Sequence, residues 1–383
     1  MAEKLKKRIK IMHVIDSLGI GGAERVVINV VNGLDPDGFE QIVCCISNKG
    51  RSAQQLGEHA RCIDMGKGPR ADHLMPWKLA RLIRKEKPHI IHTQSWAGVD
   101  GVIAHLIARG ARAVHSEHGR SLPYVDGEPV KRRLVRRCAY HLVDLVFTIS
   151  EEMRQYLCRE TRFPYERMHV IPNGVDIAKI DSADERGLRE ELGLASDDCV
   201  IGTVARFDPV KDLASLIRAF AQLCAHHNGR RLKLLLVGDG SERPALEKLA
   251  AEMGIRDRLI LTGFTDDIPR LLRIMDIFAV SSVSEGLPIA VLEAMCARLP
   301  VVATKVGAVP ELVTGGLSGL LVEPRAPQAM AEKLAILVND PELSRRFGAS
   351  ARQKVERNYS LNLMLKRYEE MYLWLTTKSF EEP

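Results

Sequence analysis

Residues 284–295 read Ser-Glu-Gly-Leu-Pro-Ile-Ala-Val-Leu-Glu-Ala-Met, and they decide the fold of the second half of the chain. The residues before them, 276–281, read Asp-Ile-Phe-Ala-Val-Ser, which is typical of a short buried parallel strand. Pro288 has the backbone φ of a first helical residue, so we expect a helix to begin there. A strand, a glycine-containing loop and a helix in this order predict a βα unit of a parallel sheet.

Two carboxylates frame this loop and helix. Glu285 lies in the loop, and Glu293 follows about one and a half turns into the predicted helix, so both can face one crevice. The backbone N–H groups within 286–289, those of residues 286, 287 and 289, would bind an anion. Carboxylates on both sides of such donors suit a nucleotide sugar, which has hydroxyl groups at both ends and phosphate between them. The spacing alone is more typical of glutamates that stabilise a solvated helix start.

The surrounding residues resemble a known signature. Ser-x-x-Glu-Gly-x-Pro, then Glu-Ala-Met, then Pro300-Val301 resembles the E-x7-E motif of the retaining family 4 glycosyltransferases. The chain departs from the family at Arg298, where the family commonly has Gly, and this departure concerns the turn rather than the motif.

The rest of the chain predicts two α/β domains. Alternating β-like and helical segments before and after residue 177 predict two parallel sheets covered by helices. The Pro-Asn-Gly turn within 171–176 marks the boundary, which gives domains 1–180 and 181–360. The resemblance implies the GT-B architecture, two Rossmann-like doubly wound domains that face each other across a cleft. It also implies that a C-terminal helix within 361–383 crosses back to the first domain.

The resemblance also implies a set of site residues. Arg206 and Lys211 would bind the donor diphosphate, Glu285 the sugar hydroxyls and Glu293 the ribose, without a metal or another cofactor. His118 in Glu-His-Gly resembles the active-site histidine, and His92 is the second choice. The implied catalytic residues are His118, Glu285, Arg206 and Lys211; the implied donor-binding residues are Gly21, Gly22, Arg206, Lys211, Gly238, Glu285, Gly286, Leu287, Pro288, Leu292 and Glu293.

Each of these residues also has a structural interpretation. Arg206 and Lys211 are typical of surface ion pairs, Gly238 of a plain left-handed turn, and a loop histidine of a hydrogen-bonded bystander. Gly21 and Gly22 lie in a glycine loop after the first strand, but the third glycine of a Rossmann fingerprint is missing.

Composition bounds the class of protein. The chain has 383 residues, of which 46% are hydrophobic and 27% charged, so it is long enough for two globular domains. We expect no signal peptide and no membrane span, because no apolar run approaches eighteen residues. Eight cysteines without C-x-x-C spacing are typical of reduced thiols in a cytoplasmic protein.

The net charge of +6 comes from a basic surplus in residues 1–180. Residues 130–143 predict an amphipathic helix with apolar positions at 130, 134, 135, 138 and 142 and five basic residues between them. Either the apolar side packs inward while the cations are solvated, or the cationic side, with the basic cluster at 4–10, docks on an anionic membrane. Nucleic acid ranks last, since no basic run is interleaved with aromatic residues.

These patterns predict a hexosyltransferase of cell-surface polysaccharide or glycolipid synthesis, located in the cytoplasm or peripherally on the inner face of the cytoplasmic membrane. The donor would be a nucleotide sugar, a UDP-sugar before GDP-mannose, and the acceptor a glycan or a lipid-linked sugar. A nucleotide-sugar epimerase of the same two-domain form is the alternative, and a non-catalytic bilobed sugar receptor is a third hypothesis.

Overall fold

The computed structural model describes residues 8–19, 21–68, 70, 72–119, 127–227 and 231–377. The chain divides into two compact units. The first unit consists of Met1–Asn173 together with Asn362–Pro383, and the second of Gly174–Leu361. Each unit contains one parallel sheet.

The first unit has a seven-stranded sheet in the order β3-β2-β1-β4-β5-β6-β7. Its strands are β1 (Ile9–Ser17), β2 (Phe39–Asn48), β3 (Ala60–Asp64), β4 (Ile90–Gln94), β5 (Arg112–Glu117), β6 (Leu145–Thr148) and β7 (Met168–Val170). Its helices are α1 (Gly22–Gly33), α2 (Met75–Glu86), α3 (Val99–Ala108), α4 (Val130–His141), α5 (Glu151–Thr161) and α15 (Leu361–Thr377). The strand order reverses between β1 and β4, and ligands bind beyond the carboxyl ends of the strands at such a point.

The helices cover both faces of this sheet. Ile15 of β1 packs with α1, and His13 lies against Tyr372 of α15. Met12 and Val14, which alternate with them along β1, pack instead with α2 and α3. Because alternate residues of a strand point to opposite faces, α1 and α15 lie on one face and α2 and α3 on the other.

The second unit has a six-stranded sheet in the order β10-β9-β8-β11-β12-β13. Its strands are β8 (Cys199–Val204), β9 (Leu232–Val237), β10 (Leu259–Leu261), β11 (Ile277–Val280), β12 (Val301–Thr304) and β13 (Gly319–Val322). Its helices are α6 (Ile177–Asp181), α7 (Leu188–Glu191), α8 (Leu213–His226), α9 (Arg243–Glu252), α10 (Ile268–Arg273), α11 (Ile289–Cys296), α12 (Val309–Leu312), α13 (Pro327–Asn339) and α14 (Pro341–Asn358). Here the order reverses between β8 and β11.

The predicted pair of doubly wound parallel sheets is confirmed, and the C-terminal helix α15 packs on the first sheet through residues such as Tyr368 and Tyr372. Strand β3 is not predicted from the sequence. This strand lies at the sheet edge with one neighbour, and no residue of it is buried, so it lacks the apolar run that marks the other strands. Within the described ranges, no helix is both long enough and apolar enough to cross a bilayer.

The orientation of α4 contradicts the first of the two alternatives considered for residues 130–143. Val130, Leu134 and Leu142, which belong to the apolar side that this alternative packs inward, are exposed. Arg136, from the side expected to be solvated, is buried and pairs with Glu117 and Glu128, each at 2.8 Å. Two carboxylates compensate the buried guanidinium, and this compensation allows the charged side of the helix to face the core.

Candidate active site

The loop after β11 holds Glu285 in a defined position. Its Oε1 accepts hydrogen bonds from Lys211 Nζ at 2.7 Å and from Ser282 Oγ at 2.6 Å. Its Oε2 has no hydrogen-bond partner within the described residues. The side chains of Lys211 and Glu285 are 21% and 10% exposed, so the ion pair is poorly solvated. The free oxygen and the three-proton ammonium leave capacity for a further ligand.

The backbone brings these side chains together. Lys211 ends a short 3-10 turn after β8, and its carbonyl accepts a bond from Ser281 Oγ at 2.8 Å. Val283 N donates to Val210 O, also at 2.8 Å. Since β8 and β11 are neighbours where the strand order reverses, their two loops meet at the carboxyl edge of the sheet. The resemblance implies both residues in one site but not this direct pair.

Arg206 lies in the same loop as Lys211 and pairs with Asp208 at 3.1 Å. Its side chain is about half exposed. The ion pair matches the structural interpretation of this residue, while the exposure leaves the guanidinium accessible to an anion. Its role in binding a diphosphate stays a prediction.

Pro288 does not begin the helix, as we expected, but precedes it. Helix α11 starts at Ile289, and Pro288 combines a φ of −70° with an extended ψ of 114°. The expectation was wrong by one residue because the proline ring fixes φ and leaves ψ free. The carbonyl of Pro288 accepts bonds from Val291 N and Leu292 N at 3.1 and 3.3 Å. The N–H groups at Ile289 and Ala290 have no acceptor inside the helix, as at any helix start.

The other predicted residues of this stretch lie around the helix start. Leu287 and Leu292 are buried in the core, and the carbonyl of Gly286 accepts a bond from Ala308 N at 3.1 Å. Glu293 lies four residues after Ile289 and is 8% exposed. These observations place the residues and do not assign their roles.

Two glycines permit the close approach of loops at this edge. A β-carbon at Gly307, where φ is +50°, would clash with the carbonyl oxygen of Glu285, and one at Gly238, where φ is +130°, would clash with that of Ala205. Gly238 is therefore required by packing whether or not it contacts a ligand. Arg298 adopts a φ of +63°, which explains why the family commonly has Gly there.

In the first unit, Gly21 and Gly22 lie at the start of α1. Gly21 is the residue before the helix, and Gly22 is its first residue. A β-carbon at Gly21 would contact the Glu24 carboxylate, so glycine lets that side chain fold back to the helix start. Residue 20, between this pair and Gly19, lies outside the described residues.

His118 follows β5 and takes part in a polar network on the α15 side of the sheet. Its Nε2 lies 2.6 Å from Gln94 Oε1 and 2.9 Å from Ser116 Oγ. Ser116 Oγ donates to Gln94 Oε1 at 2.6 Å and lies 3.0 Å from His92 Nε2. His92 Nδ1 is 2.7 Å from the hydroxyl of Tyr372 in α15. The network brings both predicted histidines together. It adds Ser116 and Gln94, which the sequence places at strand ends without a role, and Tyr372, which the sequence does not indicate as a site residue.

Burial fixes the charge and the tautomer of His118. Burial, which outweighs the opposing effect of Glu117 and is reinforced by His115, lowers its pKa to about 4. The imidazole is therefore neutral at pH 7. Because an amide oxygen only accepts, Nε2 carries the proton and Nδ1 is the acceptor. Nδ1 is buried and has no hydrogen-bond partner within the described residues, so it can accept a bond from a hydroxyl group of a ligand.

The same bonds determine the direction of the network. Burial raises the pKa of Tyr372 well above its ordinary value, so its hydroxyl stays protonated and can donate to His92 Nδ1. Burial lowers the pKa of His92 well below the ordinary range, and the neutral ring then donates from Nε2 to Ser116 Oγ. The fixed order of donors and acceptors makes Tyr372 the first donor of a chain that ends at Gln94 Oε1, to which His118 Nε2 also donates.

A second network lies on the opposite face of the sheet. Glu117 Oε1 accepts bonds from Tyr140 OH at 2.9 Å and lies 3.2 Å from His115 Nε2. Burial raises the pKa of Glu117, but Arg136, His115 and Tyr140 outweigh it and hold the pKa at about 2. Glu117 is therefore ionised, and it ties the residue before His118 to α4.

Known proteins resemble both parts of the chain. Residues 20–179 match the model of Glycosyltransferase Family 4, and residues 184–354 match that of Glycosyl transferases group 1. The UDP-Gal:alpha-D-GlcNAc-diphosphoundecaprenol alpha-1,3-galactosyltransferase of Escherichia coli is 26% identical over 96% of this chain and 97% of its own length. The N-acetyl-alpha-D-glucosaminyl L-malate synthase of Bacillus anthracis is 26% identical over 79% of both chains.

Solved structures show the same fold. A glycosyltransferase from Rickettsia africae superposes with a TM-score of 0.84 at 22% identity, covering 96% of this chain and 99% of its own. Anabaena HepE in complex with UDP and glucose gives a TM-score of 0.83 at 23% identity, covering 95% and 99%. The two family matches, the pair of doubly wound sheets and these relatives agree, and the chain belongs to the family 4 glycosyltransferases (glycosyl transferases group 1) and has the GT-B fold.

Proposed function

We propose that this glycosyltransferase moves a hexose from a nucleotide sugar to a glycan or a lipid-linked acceptor, with retention of the anomeric configuration. A UDP-sugar is the favoured donor and GDP-mannose the second candidate. The E. coli relative is named for a UDP-sugar donor and a diphosphoundecaprenol acceptor, and HepE was solved with UDP and glucose. Such a reaction fits the synthesis of cell-surface polysaccharide or glycolipid.

One observation carries the proposal: Glu285 and Lys211 form a poorly solvated pair at the loop edge of the second sheet. A donor diphosphate would take Lys211 and Arg206 as cationic partners, and Glu285 would then accept bonds from sugar hydroxyl groups. The departing diphosphate gains negative charge as the glycosidic bond breaks, and fixed cations stabilise that charge in the transition state. Glu293 in α11 is proposed to hold the ribose hydroxyls.

His118 is proposed to accept a hydrogen bond from a substrate hydroxyl through Nδ1. This atom is a buried acceptor without a partner within the described residues, and its neutral tautomer is set by Gln94. The proposed acceptor hydroxyl loses its proton to the departing phosphate on the face from which that phosphate leaves, so no side chain needs to act as a nucleophile.

The test is a thermal-shift screen with a panel of nucleotide sugars, followed by transfer assays with the donor that stabilises most. A ligand at a hundred times its Kd stabilises the folded state by about 2.7 kcal/mol. We expect UDP-sugars to give the largest shift, the product anomer to match that of the donor by NMR, and turnover to persist in excess EDTA. An inverted product or loss of turnover in EDTA would contradict the proposed stereochemistry or the proposed independence from metal.

Nothing in the site geometry favours the epimerase hypothesis, and incubation with donor alone would detect that reaction. A lipid-linked acceptor places the reaction beside a bilayer, so we include peripheral association with the inner face of the cytoplasmic membrane in the proposal.

A further inference from the structure

An apolar surface lies on the outer side of α2, α3 and α4 in the first unit. Val130 and Leu134 are exposed on α4 and Leu142 directly after it, Ile103 and Leu106 on α3, and Trp77 on α2. We propose that this surface, which we name the docking face, binds the headgroup and acyl-chain boundary of an anionic lipid bilayer.

The exposed residues of α4 form a continuous stripe. Val130, Leu134, Cys138 and Leu142 recur every four residues, so they lie on one side of the helix, and all four are exposed. In a globular protein such an apolar stripe ordinarily faces the core. Here the core side of α4 is formed by Ala139, Tyr140 and the ion-paired Arg136, and the apolar stripe is left for another partner.

The three helices form one layer. Residues of α2 and α3 share an apolar cluster on β1 and β4, and Val102 of α3 shares the next cluster with Ala139 and Tyr140 of α4. Helix α3 therefore lies between α2 and α4 on one side of the sheet. An amphipathic surface of this kind, with a tryptophan and several leucines, is typical of proteins that lie in a membrane interface.

The charges around the docking face favour an anionic partner. Helix α4 contains five Lys or Arg and no acidic residue. Arg136 is buried between Glu117 and Glu128, and Arg132 and Arg133 pair with Glu128 and Glu160, so Lys131 and Arg137 are the cations of α4 beside the stripe that have no carboxylate partner within the described residues. Helix α2 contains four Lys or Arg and one acid, Glu86. Glu86 is itself paired with Arg61 and Lys10. A symmetric dimer through this face would place these cations against their own copies, which is unfavourable. An anionic bilayer complements both the apolar stripe and the cations.

This inference rests on the proposed lipid-linked acceptor for its biological purpose, but its test needs no turnover. Sedimentation with vesicles of phosphatidylcholine, with or without one third phosphatidylglycerol, measures binding in the absence of any sugar donor. Titration with UDP, followed by calorimetry, reports the donor site of the same variants. A docking-face variant that loses vesicle binding but keeps normal UDP affinity tests the docking face alone. Failure of the unaltered protein to bind UDP would contradict the proposed function and leave the docking face unaffected.

The chain offers a closely matched control for the apolar contribution. Leu134 on the docking face is 55% exposed, and Leu317 in the second unit is 57% exposed. We expect Leu134→Ser to weaken binding to anionic vesicles about fivefold, and the double variant with Val130→Ser to weaken it about twentyfold. Each change removes part of an apolar side chain that the bilayer would cover. Leu317→Ser should leave binding unchanged. Replacing Lys131 and Arg137 by Gln should cost about fivefold for each charge at low salt.

A spectroscopic measurement locates the contact. All eight cysteines lie in described residues, and Cys138, at the middle of the stripe, is the exposed one. An environment-sensitive fluorophore on its thiol should shift to shorter wavelength when anionic vesicles are added, and protein with Cys138→Ser is the labelling control. The proposal is overturned if Leu134→Ser and Leu317→Ser weaken vesicle binding equally. It is also overturned if vesicle binding depends on the salt concentration and not on the apolar residues of the stripe. Conversion of a dimer to a monomer by Leu134→Ser in sedimentation velocity, without vesicles, assigns the face to a second copy and overturns it too.

Discussion

The pair of Lys211 and Glu285 should contribute measurably to the stability of the second unit. We consider Lys211→Met, Glu285→Gln and the double variant. Each single change leaves one group of a poorly solvated ion pair without its partner, whereas the double change removes the pair. A double-mutant cycle therefore isolates the interaction between the two side chains.

The exposure of the two groups bounds the expected coupling energy. Breaking a fully buried pair costs about 3 to 5 kcal/mol, and exposed pairs contribute about 0.2 to 1 kcal/mol. With exposures of 21% and 10%, this pair lies between these limits, so we expect a coupling of about 2 kcal/mol. In a unit of this size that coupling corresponds to a shift of roughly 6 °C in Tm.

The same unit contains a matched exposed pair. Lys305 Nζ and Glu323 Oε1 are 3.0 Å apart, with side-chain exposures of 49% and 70%. The cycle of Lys305→Met and Glu323→Gln should give a coupling below about 0.5 kcal/mol. Thermal and urea unfolding measure both cycles. Equal couplings in the two cycles would refute the inference that the Glu285 loop is poorly solvated.

Nucleotide binding tests what the pair does. In the free protein Glu285 competes with an incoming diphosphate for Lys211, so Glu285→Gln should not weaken UDP binding, while kcat should fall by two or more orders of magnitude. Calorimetric titration of UDP and steady-state kinetics give the two quantities. A tenfold loss of UDP affinity in this variant would show that Glu285 is a ligand of the nucleotide rather than of the sugar.

Three further predictions concern the first unit. Tyr372→Phe removes the donor to His92 Nδ1 and should lower the free energy of unfolding by about 1 to 3 kcal/mol in urea unfolding. The control is Tyr368→Phe, on the same side of α15, whose hydroxyl has no hydrogen-bond partner within the described residues. This variant should change the free energy of unfolding by less than about 0.5 kcal/mol. Arg136→Met should cost about 3 kcal/mol because Glu117 and Glu128 lose their shared cation, and Arg137→Met serves as the control that costs little. Burial lowers the pKa of His13 and of His118 to about 4, whereas an imidazole in the unfolded chain has a pKa of about 6.5. The unfolded state therefore binds more protons, and the free energy of unfolding should fall as the pH drops from about 6.5 to about 4, by up to about 3 kcal/mol for each ring. His13→Gln should reduce this pH dependence in equilibrium unfolding.

Much of the fold could be predicted because each buried parallel strand carries its own apolar run. The segments around Ile11, Ile201 and Phe278 are buried on both faces, and their sequences show it without tertiary information. The edge strand β3 has no such apolar run, because none of its residues is buried. Its position depends on pairing with β2, which its own sequence does not show. The start of α11 was misplaced by one residue for a similar reason, since Pro288 determines its own φ but not its ψ.

The candidate site was only partly predictable. The residues of the E-x7-E loop stand out in sequence, but the contact between Lys211 and Glu285 joins loops that are 74 residues apart. Tyr372 lies 280 residues from His92 and reads as an ordinary apolar position of an amphipathic helix. Gly307, in the loop after β12, was a missed residue with a local signal, because glycine in the loop after a buried strand often marks a close approach of two loops.

Helix α4 shows why periodicity alone does not orient a helix. The period establishes that Val130, Leu134 and Leu142 share one side and that Arg136 lies on another, but it is the same whichever side faces the sheet. The choice depends on whether the sheet supplies carboxylates for a buried guanidinium. Glu117 at the end of β5 and Glu128 just before α4 supply them, so the charged side is stable inside. The apolar stripe is then left outside, where contact with water gives it no stabilisation and contact with a bilayer does.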